Sequence, residues 1–383
     1  MSSLLKAFNQ PFDVLWRTAL VRLPRAVPDA VLRYTSPEGP HPFVLNLPSR
    51  GSYKIPVYVF LPSLTYDVTE RADPVPVMID FHGGGFVLGS CLEQAPFCAQ
   101  MSRELGAVVL SVDYRLGPVD KFPAALEDAE DVLHAVLHEE KPGYHELRKA
   151  ITQNLVESYN TKQGEEWKGE SASSSEPSPM VGSVNLDTDK IALSGFSSGG
   201  NLALELALDI ARNPPIVPTP WPSPFSREHP HPIPLLLFYP SLDSRLLPSQ
   251  RTRPPGLPAT KRFWSELSDT LAPTYLSRDE ASHPRASPGL AEIIDGGLHE
   301  QARILLILPE LDSLAEQSET WVKKLHENGR GQHLRVERYK GMKHGWTQMP
   351  VSWLGLAERQ TRIESFEIAR DFVKKVWKTG EVS

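Results

Sequence analysis

The stretch Leu193-Ser194-Gly195-Phe196-Ser197-Ser198-Gly199-Gly200 constrains the fold of this chain more than any other. A short apolar run, residues 190–193, leads into it, and a run of helical character, residues 201–210, leads out. A serine flanked by glycines two places before and two places after it, between strand and helix, implies a very sharp turn. Any Cβ at those glycines would collide with neighbouring backbone. The same strain lifts the Ser197 side chain onto the N-terminal end of the following helix.

The rest of the chain alternates between strands and helices. Strands are expected at residues 43–47, 53–61, 75–81, 107–112, 190–193, 235–239, 304–308 and 334–339. In the second of these, Ile55, Val57, Val59 and Leu61 recur at every other place, the period of a strand packed mainly on one face. Residues 75–81 are almost continuously apolar, as in a strand covered on both faces. Helices are expected at 92–105, 123–139, 145–159, 201–210, 261–271, 314–328 and 363–378. Gly106 and Gly329 stop two of them, and Pro123 sits in a favoured first turn. Such alternation implies an α/β fold with a mainly parallel, doubly wound sheet. Right-handed crossovers then gather the strand C-termini along one edge, where folds of this kind place their sites.

Three stretches interrupt the pattern. Residues 1–40 read as one or two short helices broken by prolines. Residues 140–186 include the run Ser171-Ala172-Ser173-Ser174-Ser175-Glu176-Pro177-Ser178-Pro179, which cannot bury enough apolar surface to offset its ordering entropy. A short helix followed by a flexible surface loop is expected there. Residues 213–234 carry nine prolines and read as a second surface excursion.

With 383 residues, 40% hydrophobic and 23% charged, the composition is that of an ordinary globular chain. A net charge of −7 without a basic tract argues against a nucleic-acid partner. No apolar run approaches the roughly 18 residues that span a bilayer, so no stable membrane association is expected. Lys6, Asn9, Gln10, Pro11, Asp13 and Arg17 break up the apolar core that a secretory leader needs. The arginines of residues 1–33 leave an organelle-targeting reading open beside the blander one of amphipathic cap helices. Cys91 and Cys98 read as reduced, buried thiols, and the expected location is cytoplasmic.

Three further stretches fall just after expected strands. His82-Gly83-Gly84-Gly85 follows residues 75–81. Successive glycines let backbone N–H groups converge on one small volume, as an oxyanion hole requires. The candidate donors are Gly83, Gly84 and, next to the serine, Ser198. Each such donor contributes roughly 3–4 kcal/mol to barrier lowering in enzymes that use one. Asp312 follows residues 304–308, with Glu310 as a nearby competitor and a helix N-cap as its alternative duty. His344 lies in the glycine-flanked loop after the last strand. Ser197, Asp312 and His344 thus occur in the chain order of a Ser–acid–His triad. In that chemistry the serine attacks an acyl carbon, the histidine carries its proton to the leaving alcohol, and the acid orients the imidazole. Phe86, Phe196, Trp264 and Trp346 are candidate pocket residues. No HExxH, CxxC or phosphate-cradling glycine motif occurs, so neither a metal nor a cofactor is expected.

Together these segments resemble the hormone-sensitive-lipase-like carboxylesterases, over roughly residues 40–350. The resemblance rests on His82-Gly83-Gly84-Gly85-Phe86, on the run from Val112 to Pro118, and on the run from Phe122 to Asp128. It rests also on Gly195-x-Ser197-x-Gly199-Gly200, Tyr239-Pro240-x-x-Asp243, Asp312-x-Leu314 and Gly341-x-x-His344-Gly345. It implies an α/β-hydrolase fold with an eight-stranded sheet and a helical cap built from about 1–40 and 241–300. It also implies cofactor-free hydrolysis of small to medium acyl or lactone esters, with a dimer as the candidate oligomer. The chain departs from the family at Phe196, usually an acid, at Ser198, usually alanine, and at Val119, usually glutamate. Phe196 and Val119 are accordingly expected to make the floor of the site more apolar. The inserts at 140–186 and 213–234 look like those of fungal members. Two other classes fit the same residues. One is a non-hydrolytic acyltransferase, lyase or cyclase tailoring a specialised metabolite. The other is a small-molecule binding protein, against which the retained His344 argues.

Overall fold

The computed structural model describes residues 39–62, 74–166, 184–213, 216–259, 262–294 and 296–382. The expected helices within 1–38, and the serine-rich run of the first insert, lie outside them. Eight strands form one sheet: β1 (Phe43–Pro48), β2 (Lys54–Phe60), β3 (Val75–Phe81), β4 (Val108–Val112), β5 (Leu186–Phe196), β6 (Ile233–Phe238), β7 (Ala302–Leu311) and β8 (Leu334–Lys343). Their spatial order is β1-β2-β4-β3-β5-β6-β7-β8. β1 pairs antiparallel with β2, and β2 with β4, while every other pair is parallel. The helices are α1 (Ala95–Leu105), α2 (Ala124–Leu137), α3 (Tyr144–Glu166), α4 (Ser198–Glu205), α5 (Arg262–Tyr275), α6 (Ala315–Glu327) and α7 (Leu356–Thr379).

The period-two geometry of each central strand sorts its side chains between two cores. Ile191 and Leu193 of β5 join the larger core, with residues of α2, α4 and α6. Ala192 and Phe196 face the opposite way, into a core closed by α1 and α7. The fold is therefore three-layered, with parallel strands buried on both faces as their near-continuous apolar runs require.

Several elements differ from their sequence expectation. α3 continues to Glu166, past the expected end at 159. α4 begins at Ser198, inside the tight turn, and ends at Glu205 rather than 210. It ends early because the next residues are claimed by tertiary pairing: Leu208 bridges Leu298, and Ile210 exchanges backbone hydrogen bonds with Trp221. The proline-rich stretch that contains Trp221 runs over the surface as expected, with most of its described residues exposed, but it is anchored by the buried side chains of Val217 and Phe225. Its N–H groups find partners partly in α4's exit, with Trp221 N–H on Ile210 O and Ser223 N–H on Asp209 Oδ1, and partly within the segment itself.

A buried arginine seals this corner. The Arg285 guanidinium donates to Glu205 O (3.0 Å), Leu208 O (3.3 Å), Trp221 O (2.9 Å) and Pro222 O (3.2 Å). It satisfies the C-terminal carbonyls of α4 and ties the proline-rich segment to residues 281–287. Its charge lies 3.5 Å from Glu130 Oε1 and 3.7 Å from Glu205 Oε2. Burial pushes the Glu205 carboxyl up to about 8, with Arg285 opposing the shift only in part. On the other face of the sheet, fully buried Asp80 accepts hydrogen bonds from Ser194 Oγ (2.6 Å), Ser111 Oγ (3.3 Å) and Cys98 Sγ (3.4 Å). Burial outweighs these bonds and raises its carboxyl to about 6. Cys91 and Cys98 are both free and buried.

Two outcomes are expected. Arg285→Met strips four buried carbonyls of their donor and leaves two carboxyls without their cation, so it lowers stability by about 3–5 kcal/mol in urea unfolding. Asp80 binds its proton more tightly folded than unfolded, so its contribution is complete below about pH 4 and is lost as pH rises through about 6. Unfolding free energies of wild type and Asp80→Asn, measured between pH 4 and 8, should therefore diverge by about 3 kcal/mol in the variant's favour at the alkaline end.

Candidate active site

The strand C-termini bring Ser197, Asp312 and His344 together. Ser197 follows the last residue of β5 and has φ 55°, ψ −113°, a conformation that a non-glycine residue rarely adopts. It is bolted in place. Its N–H donates to Phe238 O (2.9 Å), and its carbonyl accepts from the N–H of Ser241 (3.0 Å) and Asn201 (3.2 Å). The two expected glycines act as the sequence suggests. A Cβ at Gly195 would lie 2.1 Å from Gly199 O, and one at Gly199 would lie 2.0 Å from Phe81 O.

Asp312 lies just beyond β7 and is 2% exposed. Its two oxygens divide their duties. Oδ1 accepts the Leu314 N–H at 2.8 Å, anchoring the approach to α6. Oδ2 lies 2.7 Å from His344 Nδ1. A carboxylate oxygen can only accept, so the imidazole proton sits on Nδ1. Nε2 then accepts from the Ser197 hydroxyl, with Nε2 3.0 Å from Oγ. Glu310 is turned away, its carboxylate accepting the Gly341 N–H at 2.7 Å. His344 stands between β8 and a 3-10 turn (Trp346–Gln348), edge-to-face on Tyr239 with ring centroids 4.8 Å apart.

The triglycine loop is braced around the same point. His82 is fully buried, donates from Nδ1 to Gly83 O (2.7 Å) and stacks on Tyr114. The Tyr114 hydroxyl donates to His82 O at 2.7 Å and approaches Ser198 Oγ at 3.4 Å. Gly84 has φ +126°, and its carbonyl accepts from the N–H of Val87 and Leu88. A Cβ there would lie 1.9 Å from Leu88 O. Among the described residues no group accepts the N–H of Gly83, Gly84 or Ser198, which leaves these three donors beside the serine available.

A cavity of about 1170 Å³ opens over this edge. Ser197, His344, Asp312, Gly84 and Phe86 line it from the sheet side, and Leu267, Leu271 and Tyr275 of α5 close it from above. Phe86 stacks on Tyr275 with centroids 4.5 Å apart. The other pocket candidates fare differently. Phe196 does not line the cavity. As the last residue of β5 it shares a face with Ala192, so it points into the smaller core, stacked on Phe238 at 4.2 Å and edge-on to Phe97 at 5.2 Å. Trp346 likewise packs inward between Tyr239 and Tyr339, and Val119 is not among the lining residues. An apolar floor made by Phe196 and Val119 is therefore corrected: strand parity, not residue type, decides where Phe196 goes. Trp264 belongs to α5, but its side chain lies outside the described residues.

Sequence reasoning missed Gln348, Arg251 and Arg362. Gln348 takes the Tyr239 hydroxyl proton on Oε1 (3.2 Å) and packs where a Cβ of Gly83 would be, 2.8 Å away. It lies four residues after His344, and that spacing was its only local signal. Arg251 and Arg362 reach the cavity from distant segments and carry no motif.

The sequence model described as the α/β-hydrolase fold matches residues 78–348. The chain belongs to the α/β-hydrolase fold family. Within it, the chain resembles several proteins named as esterases. Human arylacetamide deacetylase-like 2 is 29% identical over 59% of this chain and 43% of its own length. Ethyl acetate hydrolase of Pseudomonas putida is 23% identical over 80% of this chain and 75% of its own length. Two Arabidopsis thaliana relatives named as carboxylesterases are matched over only 29% and 31% of their length. A hyperthermophilic esterase from Pyrobaculum calidifontis shares the fold, with a TM-score of 0.56 at 24% identity over 93% of this chain and 91% of that one. The described residues contain no helix long and apolar enough to cross a membrane, and no group of three or more His, Cys, Asp or Glu that could hold a metal ion.

The glycines of this α/β-hydrolase make opposite demands. Gly199→Ala drives a Cβ into Phe81 O and should cost at least about 4 kcal/mol. Gly85 has φ +61° but nothing within 4 Å of its would-be Cβ, so Gly85→Ala should cost only about 1–2 kcal/mol. Urea unfolding of the two variants side by side checks the contrast.

Proposed function

We propose that this α/β-hydrolase is a serine carboxylesterase acting on small to medium esters, with Ser197, His344 and Asp312 as its catalytic triad. The observation that carries the reading is the relay itself: 3.0 Å from Ser197 Oγ to His344 Nε2 and 2.7 Å from Nδ1 to Asp312, opening on one large cavity. Ser197 Oγ attacks the ester carbonyl carbon while its proton passes to Nε2. The carbonyl electrons move onto oxygen, and the N–H groups of Gly83, Gly84 and Ser198 receive that negative charge. Collapse of the tetrahedral adduct breaks the bond to the alcohol oxygen, which takes the proton from Nε2 as it leaves. Water then gives a proton to Nε2 and attacks the acyl-enzyme, and the acid departs as Ser197 regains its proton. Asp312 holds the tautomer this sequence needs and stabilises the imidazolium between steps. In the same reading, α5 and the loops of 241–300 form the cap, and Phe86 and Tyr275 hold the acyl chain.

The test is hydrolysis of p-nitrophenyl esters of graded chain length. Wild type should turn over, while Ser197→Ala and His344→Ala should each lose about 10⁴-fold or more in kcat. Asp312→Asn should lose a comparable amount with its fold intact. Equal turnover by wild type and the variants would overturn the reading.

A further inference from the structure

The cavity holds more positive charge than ester chemistry alone requires. Arg251, Arg278, Arg359 and Arg362 all line it, in a chain whose net charge is −7. Among the described residues none of the four is ion-paired. Arg278 donates to Ser244 O and Arg245 O, Arg359 to Leu354 O (2.9 Å), and Arg362 to Met349 O (3.1 Å). Arg251 has no hydrogen bond among the described residues, and its Nε is buried without a partner. The acidic residues of the lining are Asp312, already committed to His344, and Glu93, which accepts from Gln348 Nε2 at 3.4 Å.

Arg251 is held in position. The 3-10 turn before it (Pro248–Gln250) is pinned by Gln250 Oε1, which accepts the Leu247 N–H at 2.9 Å, and by Asp269 Oδ1, which accepts the Ser249 N–H at 3.1 Å. Asp312, Asp269 and Asp243 attract its charge from a distance, while Arg278 repels it. Burial weakens its hold on the proton without discharging it. Arg251 is half-buried, lines the cavity and makes no hydrogen bond among the described residues, and such a guanidinium is stabilised by any ligand that brings an acceptor, most of all by a planar carboxylate.

We infer that the preferred substrates of this site are esters carrying a second, free carboxylate, which Arg251 receives with Arg278, Arg359 and Arg362 supplying the surrounding positive field. This rests on the hydrolase reading above and adds to it a class of substrate: half-esters of dicarboxylic acids, or esters with a distal acid on either side of the scissile bond. The carboxylate replaces water at Arg251 and fixes the chain in the cavity, so its effect falls mainly on KM.

The experiment compares mono-p-nitrophenyl glutarate with p-nitrophenyl valerate, a neutral ester of matching length. Wild type should favour the glutarate in kcat/KM by about tenfold or more. Arg251→Gln should reduce that preference at least about tenfold, chiefly through KM, with Arg251→Lys falling between. Should Arg251→Gln fail to fold, inhibition of wild-type valerate hydrolysis supplies the readout, with glutarate inhibiting and uncharged 1,5-pentanediol not. Valerate turnover without any preference for glutarate, or a preference that survives Arg251→Gln, overturns this inference and leaves the hydrolase reading standing. Absence of turnover with both esters overturns the two together.

Discussion

The close seating of the β5–α4 turn on the end of β3 is the contact on which the rest of the site depends. Phe81 O and His82 O occupy the space that a Cβ of residue 199 would need, at 2.0 and 2.5 Å. With glycine there, the N-terminus of α4 seats directly against Phe81 and His82, the residues that lead into the triglycine loop. The price is the unusual backbone of Ser197, of order 1–3 kcal/mol. It persists because hydrogen bonds to Phe238, Ser241 and Asn201 over-determine it. Those partners belong to β6, to the loop after it and to α4 itself, so the Ser197 hydroxyl is aimed by the sheet as a whole.

Charge is placed around this contact in three separate ways. Asp80 lies beneath the sheet among hydroxyls and a thiol, where burial keeps its proton on towards neutral pH. Arg285 lies beside α4, where two carboxyls and four carbonyls surround it and its energy is spent on architecture. Arg251 borders the cavity and makes no hydrogen bond among the described residues. The first two are held by partners within the protein, and the third borders the cavity.

Much of the site was legible in the chain because its pieces are local. Each of His82-Gly83-Gly84-Gly85, Gly195-x-Ser197-x-Gly199, Asp312 and His344 sits within a few residues of a strand end, and parallel strands bring all their C-terminal ends to one edge. Knowing the strands was enough to know that these groups meet. Phe196 was misplaced because a motif comparison reports residue type and not the face it points to; one step along a strand reverses that face. The anchoring of the proline-rich stretch was not legible because its partners include Arg285, distant in sequence, and composition carries no record of it.

The sequence by itself determined the order of strands and helices, the glycines that permit the sharp turn, and the places of Ser197, Asp312 and His344 just beyond strand ends. These follow from short-range sterics and periodicity, which neighbouring residues settle among themselves. The tertiary structure alone decided which hydroxyl, ring nitrogen and carboxylate lie at 3.0 and 2.7 Å, which aromatic residues turn into the core, and which arginines reach the cavity. Those are matters of packing and long-range charge. The arginines and aromatic residues come from segments far apart in the chain, and no local pattern specifies which way each of their side chains turns.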